Sequence, residues 1–177
     1  MLNLDPVDTQ LLALLQENGR MAQNDLAKAV GLSGPAVSER LRKLEERGVL
    51  RGYAALVEPR AVGLDIAAFI FVGISGSRYY PEFRARVRDL PEVQECHSVT
   101  GQGSHLLKIR VRNTAALEAL LAEIQAWPGV QSTTTSLVLS TVKETPGVPL
   151  AAAPDSGDDE GPIGAAGLLH VPFRHHT

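Results

Sequence analysis

Apolar residues recur along this chain at two different spacings, and the change between them divides it. Val7, Leu11, Leu14 and Leu15 recur at helical spacing, as do Leu26 with Val30 and Val37 with Leu41 and Leu44. Three helices are therefore predicted in the first part of the chain. The first starts at Asp5, with Pro6 at its first helical position and Asp8 three residues from the cap, and stops at Asn18-Gly19. The second has Ala22 at its cap position and Asp25 three residues on. Alanine offers no oxygen to the free amides, a loss of about 1 kcal/mol that predicts fraying there. Gly31 can take the left-handed conformation that ends this helix, and Ser33 can cap the next, which runs to Gly48. On that third helix Pro35, Glu39, Arg42, Lys43 and Glu46 fall opposite the apolar stripe, with Ser38 at the border. Two helices around the turn Gly31-Leu32-Ser33 make a helix-turn-helix, which can lay its second helix in the DNA major groove. An ordinary helical hairpin has the same apolar spacing.

Val49-Leu50 and Tyr53 to Val57 look extended and predict a short connecting strand or small wing. Glu58-Pro59-Arg60 opens a hinge, and Tyr53 is expected to pack against it. From Ile66 the period changes. AAFIFVGIS is apolar on both faces of a strand, so both faces should be covered. Tyr80 to Leu90 is helical, with Phe83 and Val87 four apart. Val93 to Thr100 and His105 to Arg112 are strands around the turn Gly101-Gln102-Gly103-Ser104. Leu117, Leu120, Leu121 and Ile124 stripe another helix, and Val130 to Lys143 is a last strand. The order strand-helix-strand-strand-helix-strand is a ferredoxin-like unit. Pro91-Glu92-Val93-Gln94 and Pro128-Gly129-Val130-Gln131, 37 residues apart, repeat the passage from helix to strand. Such a sheet carries helices on one face only, so its other face is expected to meet a second copy of the chain.

The net charge of −3 changes the picture only when divided. Asp155, Asp158, Asp159 and Glu160 against Arg174 account for all of it, and the remaining 16 basic and 16 acidic residues cancel. The body is neutral, unlike a nonspecific nucleic-acid binder. Positive charge is local instead: Arg40, Arg42, Lys43, Arg47 and Arg51 outnumber Glu45 and Glu46, a clustering that phosphate contact needs. Hydrophobic content of 44% supports a real core. No transmembrane run is present, MLNLDPVD lacks a basic region before an apolar stretch, and one cysteine fits a reducing compartment. A cytoplasmic protein without membrane contact is expected. After Thr145 the chain is rich in Pro, Gly, Ala and acidic residues and is expected to be disordered. Leu168-Leu169-His170-Val171 is a candidate docking segment, and His170, His175 and His176 are candidate nonspecific metal ligands.

GLSGPAVSERLRKLEERGVLRGYAALVEPRAVG closely resembles the helix-turn-helix of the Lrp/AsnC (feast/famine) transcriptional regulators. Matching features are Leu4-Asp5, Asp8, Gly19-Arg20, Leu26, Gly31-Leu32-Ser33, Glu39-Arg40, Leu44-Glu45, Gly48, Gly52-Tyr53 and Pro59, and the likeness continues to about Thr145. The resemblance implies an α+β protein: a winged helix-turn-helix domain over 1–60, a ferredoxin-like dimerisation and effector-binding domain with an antiparallel sheet over 61–145, and a disordered tail over 146–177. It implies double-stranded DNA, a small-molecule effector such as an amino acid, and the chain itself as partners, in dimers that can assemble to octamers. Candidate DNA contacts are Gln23, Ser33, Gly34, Pro35, Ser38, Glu39, Arg42 and Lys43. Candidate effector contacts are Thr100, Gly101, Gln102, Gly103 and Ser104. The family usually carries an aromatic where this chain has Gly103 and an aspartate where it has Ser104, so weak or absent response to leucine and asparagine is expected.

No catalytic or cofactor motif appears, and neither an enzymatic residue nor a cofactor is expected. Cys96 and His97 are adjacent, so on one strand they point to opposite faces and cannot act as nucleophile and base. A hairpin centred on Gly101 would set His97 opposite His105, two metal ligands without a third. That pair keeps open a siroheme-decarboxylase-like enzyme, which resembles the family in architecture. A low-specificity architectural DNA-binding protein is the other alternative.

Overall fold

The computed structural model describes residues 4–150, which form two compact units: residues up to Tyr53 with those from Gly147, and Ala54–Pro146. The expected disorder past Leu150, the Leu168–Val171 segment and the histidines His170, His175 and His176 lie outside the described residues.

In the first unit the apolar stripes produce three helices, α1 (Pro6–Glu17), α2 (Gln23–Val30) and α3 (Gly34–Glu46). Asp5 caps α1 by accepting the Asp8 amide at 2.7 Å, while α2 starts at Ala22 without a side-chain cap. Gly31 ends α2 at φ 69° and ψ 30°, and the Leu32 amide returns to the Ala27 carbonyl at 3.0 Å. That left-handed turn is what lets α3 leave at an angle. Leu11, Leu15, Leu26, Ala27 and Val37 form the core, with Val7, Leu14, Val30, Leu32 and Leu41 packed around it. At the far end of the described chain the Val148 amide donates to Gln16 Oε1 at 2.6 Å, and Gln16 Nε2 donates to the Val148 carbonyl at 3.2 Å. This pair ties Val148 to α1.

Val49-Leu50 and Tyr53 to Val57, expected as a connecting strand, have no ladder partner among the described residues. Alternation alone does not make a strand, because its backbone groups must pair with something. Leu56 and Val57 remain 70% and 63% exposed. The Tyr53 ring, expected at the hinge, lies by Gly19, and its hydroxyl donates to Glu45 Oε1 at 3.3 Å.

The second unit contains β1 (Ile66–Ile74), α4 (Tyr80–Asp89), β2 (Val93–Ser98), β3 (His105–Val111), α5 (Thr114–Gln125) and β4 (Val130–Leu137). The sheet order is β2-β3-β1-β4 with every pairing antiparallel, the ferredoxin-like arrangement. One face of the sheet is covered by α4 and α5. Ala68, Ile70 and Val72 of β1 and Leu107, Ile109 and Val111 of β3 meet Phe83, Val87, Leu117, Leu120 and Ile124 there. Trp127 completes this core against Phe83, ring centres 5.6 Å apart. The other face carries Ala67, Phe69, Phe71 and Leu106, and among the described residues no helix packs on it; Phe69 is 37% exposed. β4 stops at Leu137 rather than Lys143, because Leu137 pairs with Ala68 and β1 begins only two residues earlier. Leu139 and Val142 beyond it are 87% and 100% exposed.

Beside the turn the β2–β3 register differs from the expected one by a single residue, and a bulge between Val93 and Glu95 brings it back at Val93, which pairs with Ile109. His97 pairs with Leu106, and Ser98 pairs with His105. A one-residue change moves a side chain to the opposite face. His105 is buried on the helix side, while His97 lies exposed on the other side beside Glu95, at 3.2 Å. The two histidines therefore do not share a site. Among the described residues no group of three or more His, Cys, Asp or Glu side chains is placed to hold a metal.

Candidate nucleic-acid interface and effector turn

The polar face of α3 meets the start of α2 in an open groove of about 540 Å³, lined by Gln23, Asn24, Gly34, Pro35, Ser38, Glu39 and Arg42. Val37 and Leu44 on the opposite side of α3 are buried, which fixes how far the helix can roll. Ser33, Ser38, Glu39, Arg42 and Lys43 are exposed, and Gly34 lies in the first turn of α3 after the Ser33 cap. Gln23 donates to the Gly34 carbonyl at 3.3 Å and to Ser38 Oγ, so it ties the start of α2 to the first turns of α3. Asn24 joins the groove although no sequence signal marked it.

Arg42 is held in a fork. Its guanidinium donates to both Glu39 oxygens, at 2.8 and 2.6 Å, and also to Glu46. Lys43 stands 3.5 Å from the same Glu39. The hydrogen bonds from Arg42, with its charge and that of Lys43, hold the Glu39 carboxyl down to about 2, and Glu39 in turn raises Arg42. Both acid and base are charged at any working pH. Because the fork is exposed it adds little stability and is cheap to open, so Arg42 is free to exchange it for a guanine edge or a phosphate.

Arg40 does something the charge count did not reveal. It turns away from the groove and donates to Asp5 at 2.5 Å and Asp8 at 2.7 Å. Asp8 is buried, 8% exposed, and Arg40 is its cation. Arg40 therefore belongs to the joint between α1 and α3 and does not add to the charge facing the groove. Its only sequence hint is the pair of aspartates at the first helix cap.

In the second unit Thr100, Gly101 and Gln102 are exposed at the tip of the β2–β3 turn, and Gly103 and Ser104 are half-buried beneath it. The Ser104 amide and hydroxyl both donate to the Val72 carbonyl, at 3.0 and 3.2 Å. A Cβ on Gly103 would stand 2.9 Å from that same oxygen, so the turn lies directly on the β1 backbone. Ser104 is thus a hydroxyl donor to a carbonyl, which an ionised aspartate cannot be.

His105 follows, 1% exposed, with its ring against Tyr80 and Phe83, both 4.8 Å between centres. Its Nδ1 lies 3.3 Å from Ser104 Oγ and its Nε2 3.3 Å from Ser98 Oγ. Burial and the nearby Arg84 charge push its pKa below the ordinary imidazole value. Cys96 is pushed up by burial and is a poor nucleophile.

Comparison with known proteins agrees with this geometry at both ends of the chain. Residues 4–51 match the winged helix-turn-helix DNA-binding model, and residues 67–148 match the Lrp/AsnC ligand binding domain. The chain is 35% identical over 147 residues to the HTH-type transcriptional regulator FL11 of Pyrococcus horikoshii, covering 83% of this chain and 97% of that one. It is 40% identical over 148 residues to the leucine-responsive regulatory protein of Escherichia coli, covering 81% and 89%. Among solved structures, a transcriptional regulator from Neisseria meningitidis in complex with L-methionine aligns with a TM-score of 0.79 at 37% identity, over 84% of this chain and 97% of that one. These likenesses span both units, and the chain belongs to the Lrp/AsnC family of ligand-responsive, DNA-binding transcriptional regulators.

Proposed function

We propose that this chain is a sequence-specific regulator that lays α3 in the major groove and reads bases with Ser38, Glu39 and Arg42, while Gln23, Ser33, Gly34, Pro35 and Lys43 set the helix on the backbone. The observation that carries this reading is the exposed face of α3: a cation held only by solvent-facing partners, on a helix whose other side is locked into the core. It acts as a homodimer through the helix-free face of its sheet, in the cytoplasm, and responds to a small metabolite at the second unit, with the Thr100–Ser104 turn as a contact. The L-methionine bound to the Neisseria meningitidis relative supports a metabolite of amino-acid size. A regulator is favoured over a siroheme-decarboxylase-like enzyme because the named relatives are regulators and because His97 and His105 lie on opposite faces of the sheet.

Genome-wide mapping of bound sites, with and without an amino-acid pool, supplies the operator. On that operator Arg42→Ala should weaken binding roughly 5- to 150-fold, with a much smaller loss on an unrelated duplex. Unchanged operator affinity at physiological salt removes Arg42 from the interface.

A further inference from the structure

Behind the β2–β3 turn, on the helix-covered side of the sheet, lies a recess that the DNA interface does not use. Arg84, Val87 and Arg88 of α4, Cys96 and Ser98 of β2 and His105 of β3 enclose about 240 Å³. This is smaller than the roughly 300–1,000 Å³ of sites for drug-sized ligands, so its occupant is a small metabolite.

The charges around it are one-sided. Two guanidiniums line the recess, and no carboxylate does. Among the described residues no carboxylate pairs with Arg84 or Arg88, although Arg86 on the same helix pairs with Glu82 at 2.8 Å. Arg84 instead donates to Ser98 Oγ at 3.3 Å and leans over the Tyr80 ring, 5.9 Å from its centre. Val87 and Cys96 supply an apolar wall.

The buried His105 completes a hydrogen-bond relay whose direction can be worked out. Ser104 spends its only hydroxyl hydrogen on the Val72 carbonyl, so it can only accept from His105 Nδ1. Nδ1 then carries the proton of the neutral ring, and Nε2 accepts from Ser98 Oγ, which in turn accepts from Arg84. Protonation at Nε2 reverses the Ser98 bond and frees the Ser98 hydrogen to point into the recess.

We propose that this recess binds a small organic acid, with its carboxylate on Arg84, Arg88 and Ser98 and its apolar body along Val87 and Cys96, and that it selects 2-keto acids over the matching amino acids. The selection follows from charge: an ammonium here meets two cations and no carboxylate, whereas a keto oxygen carries no such penalty. The proposal rests on the reading of the second unit as the effector-binding domain and names the chemical class of its ligand.

Calorimetry on the full chain decides it, with pyruvate, 2-oxobutanoate, 4-methyl-2-oxopentanoate and phenylpyruvate as probes, L-leucine and L-phenylalanine as matched amino acids, and inorganic phosphate as an anion control. At least one keto acid should bind about tenfold or more tightly than its amino acid and than phosphate. Arg84→Met and Arg88→Met should each weaken that keto acid about tenfold, with an unchanged thermal midpoint confirming the fold. Binding should strengthen as pH falls through the His105 titration. The groups facing that ring are Tyr80, Phe83 and Arg84 from α4, Cys96 and Ser98 from β2 and Ser104 from the turn, and burial pushes the Cys96 thiol up, away from neutrality. Absence of binding by all four keto acids overturns the proposal, as does equal binding by amino acid or phosphate, or indifference to both arginine substitutions. An operator response to amino acids that substitutions in Gly101–Ser104 abolish, without keto-acid binding, overturns the recess and leaves the effector reading standing.

Discussion

Two arginines two residues apart on α3 carry opposite assignments. Arg40 faces the buried Asp8 and the cap residue Asp5, and Arg42 faces solvent. Removing Arg40 leaves the Asp8 carboxylate buried without its cation. Arg40→Ala should therefore destabilise the first unit by about 1–3 kcal/mol, seen as a lower denaturation midpoint. Arg42→Ala, which strips only exposed partners, should leave that midpoint in place. Equal midpoints for the two variants would mean that the α1–α3 joint is not stabilising. His105 supplies a pH-dependent prediction at the same scale. Its folded-state pKa lies below the ordinary 6.5, so the unfolded chain takes up a proton before the native one does. Its contribution is complete above 6.5 and is lost as pH falls from there through the folded-state value. The urea midpoint of the second unit should drop as pH falls below 6.5, and His105→Phe should flatten that drop. An equal drop in the variant would assign the dependence to other groups.

At the scale of elements, the β2–β3 hairpin is positioned by its contact with β1 more than by its own turn. Gly103 passes so close to Val72 that a Cβ would meet the carbonyl oxygen at 2.9 Å, the carbonyl carbon at 3.2 Å and the amide nitrogen at 3.3 Å. Replacing glycine by alanine gains about 0.4–1 kcal/mol from the unfolded chain, and forcing a methyl into backbone costs about 1–3 kcal/mol. The strain wins, so Gly103→Ala should lower the thermal midpoint and shift the amide resonances of Val72 and Ser104. A raised midpoint would show that the turn can lift off β1. The same contact bears on the effector turn, since the aromatic that the family usually has here could not stand without displacing it.

Among the described residues one face of the sheet carries no helix. Phe69, Phe71 and Leu106 lie together on it, flanked by Lys108, which pairs with Glu95 at 3.1 Å and with Glu144, and by Arg110, which pairs with Glu144 at 2.8 Å. An apolar centre with a charged border suits a second copy of the chain. Phe71→Asp should convert the proposed dimer to a monomer by sedimentation velocity, and operator affinity should fall with it, since in such a dimer two copies of α3 would meet two half-sites. A wild-type chain that sediments as a monomer at micromolar concentration would overturn the dimer.

The sequence by itself determined the three first helices, their caps, the left-handed Gly31 turn, the exposed side of α3 and the strand-helix order of the second unit. These depend on interactions within about one helical turn or on a strand's own alternation, and such signals are written in adjacent residues. What only the tertiary structure decided involves partners far apart in the chain. Arg40 finds Asp8 32 residues away. His97 and His105 part because the pairing beside the turn, closed by the Val99 amide on the Ser104 carbonyl, is one residue off the Gly101-centred hairpin, and a bulge between Val93 and Glu95 restores the expected register only farther along. β4 ends where β1 runs out of backbone, and Tyr53 to Val57 find no strand to pair with among the described residues. Gly103 reads as an ordinary turn residue until Val72 is placed against it. The recess between α4 and β2 likewise exists only once an edge strand and a helix bring Arg84, Arg88 and His105 to one place.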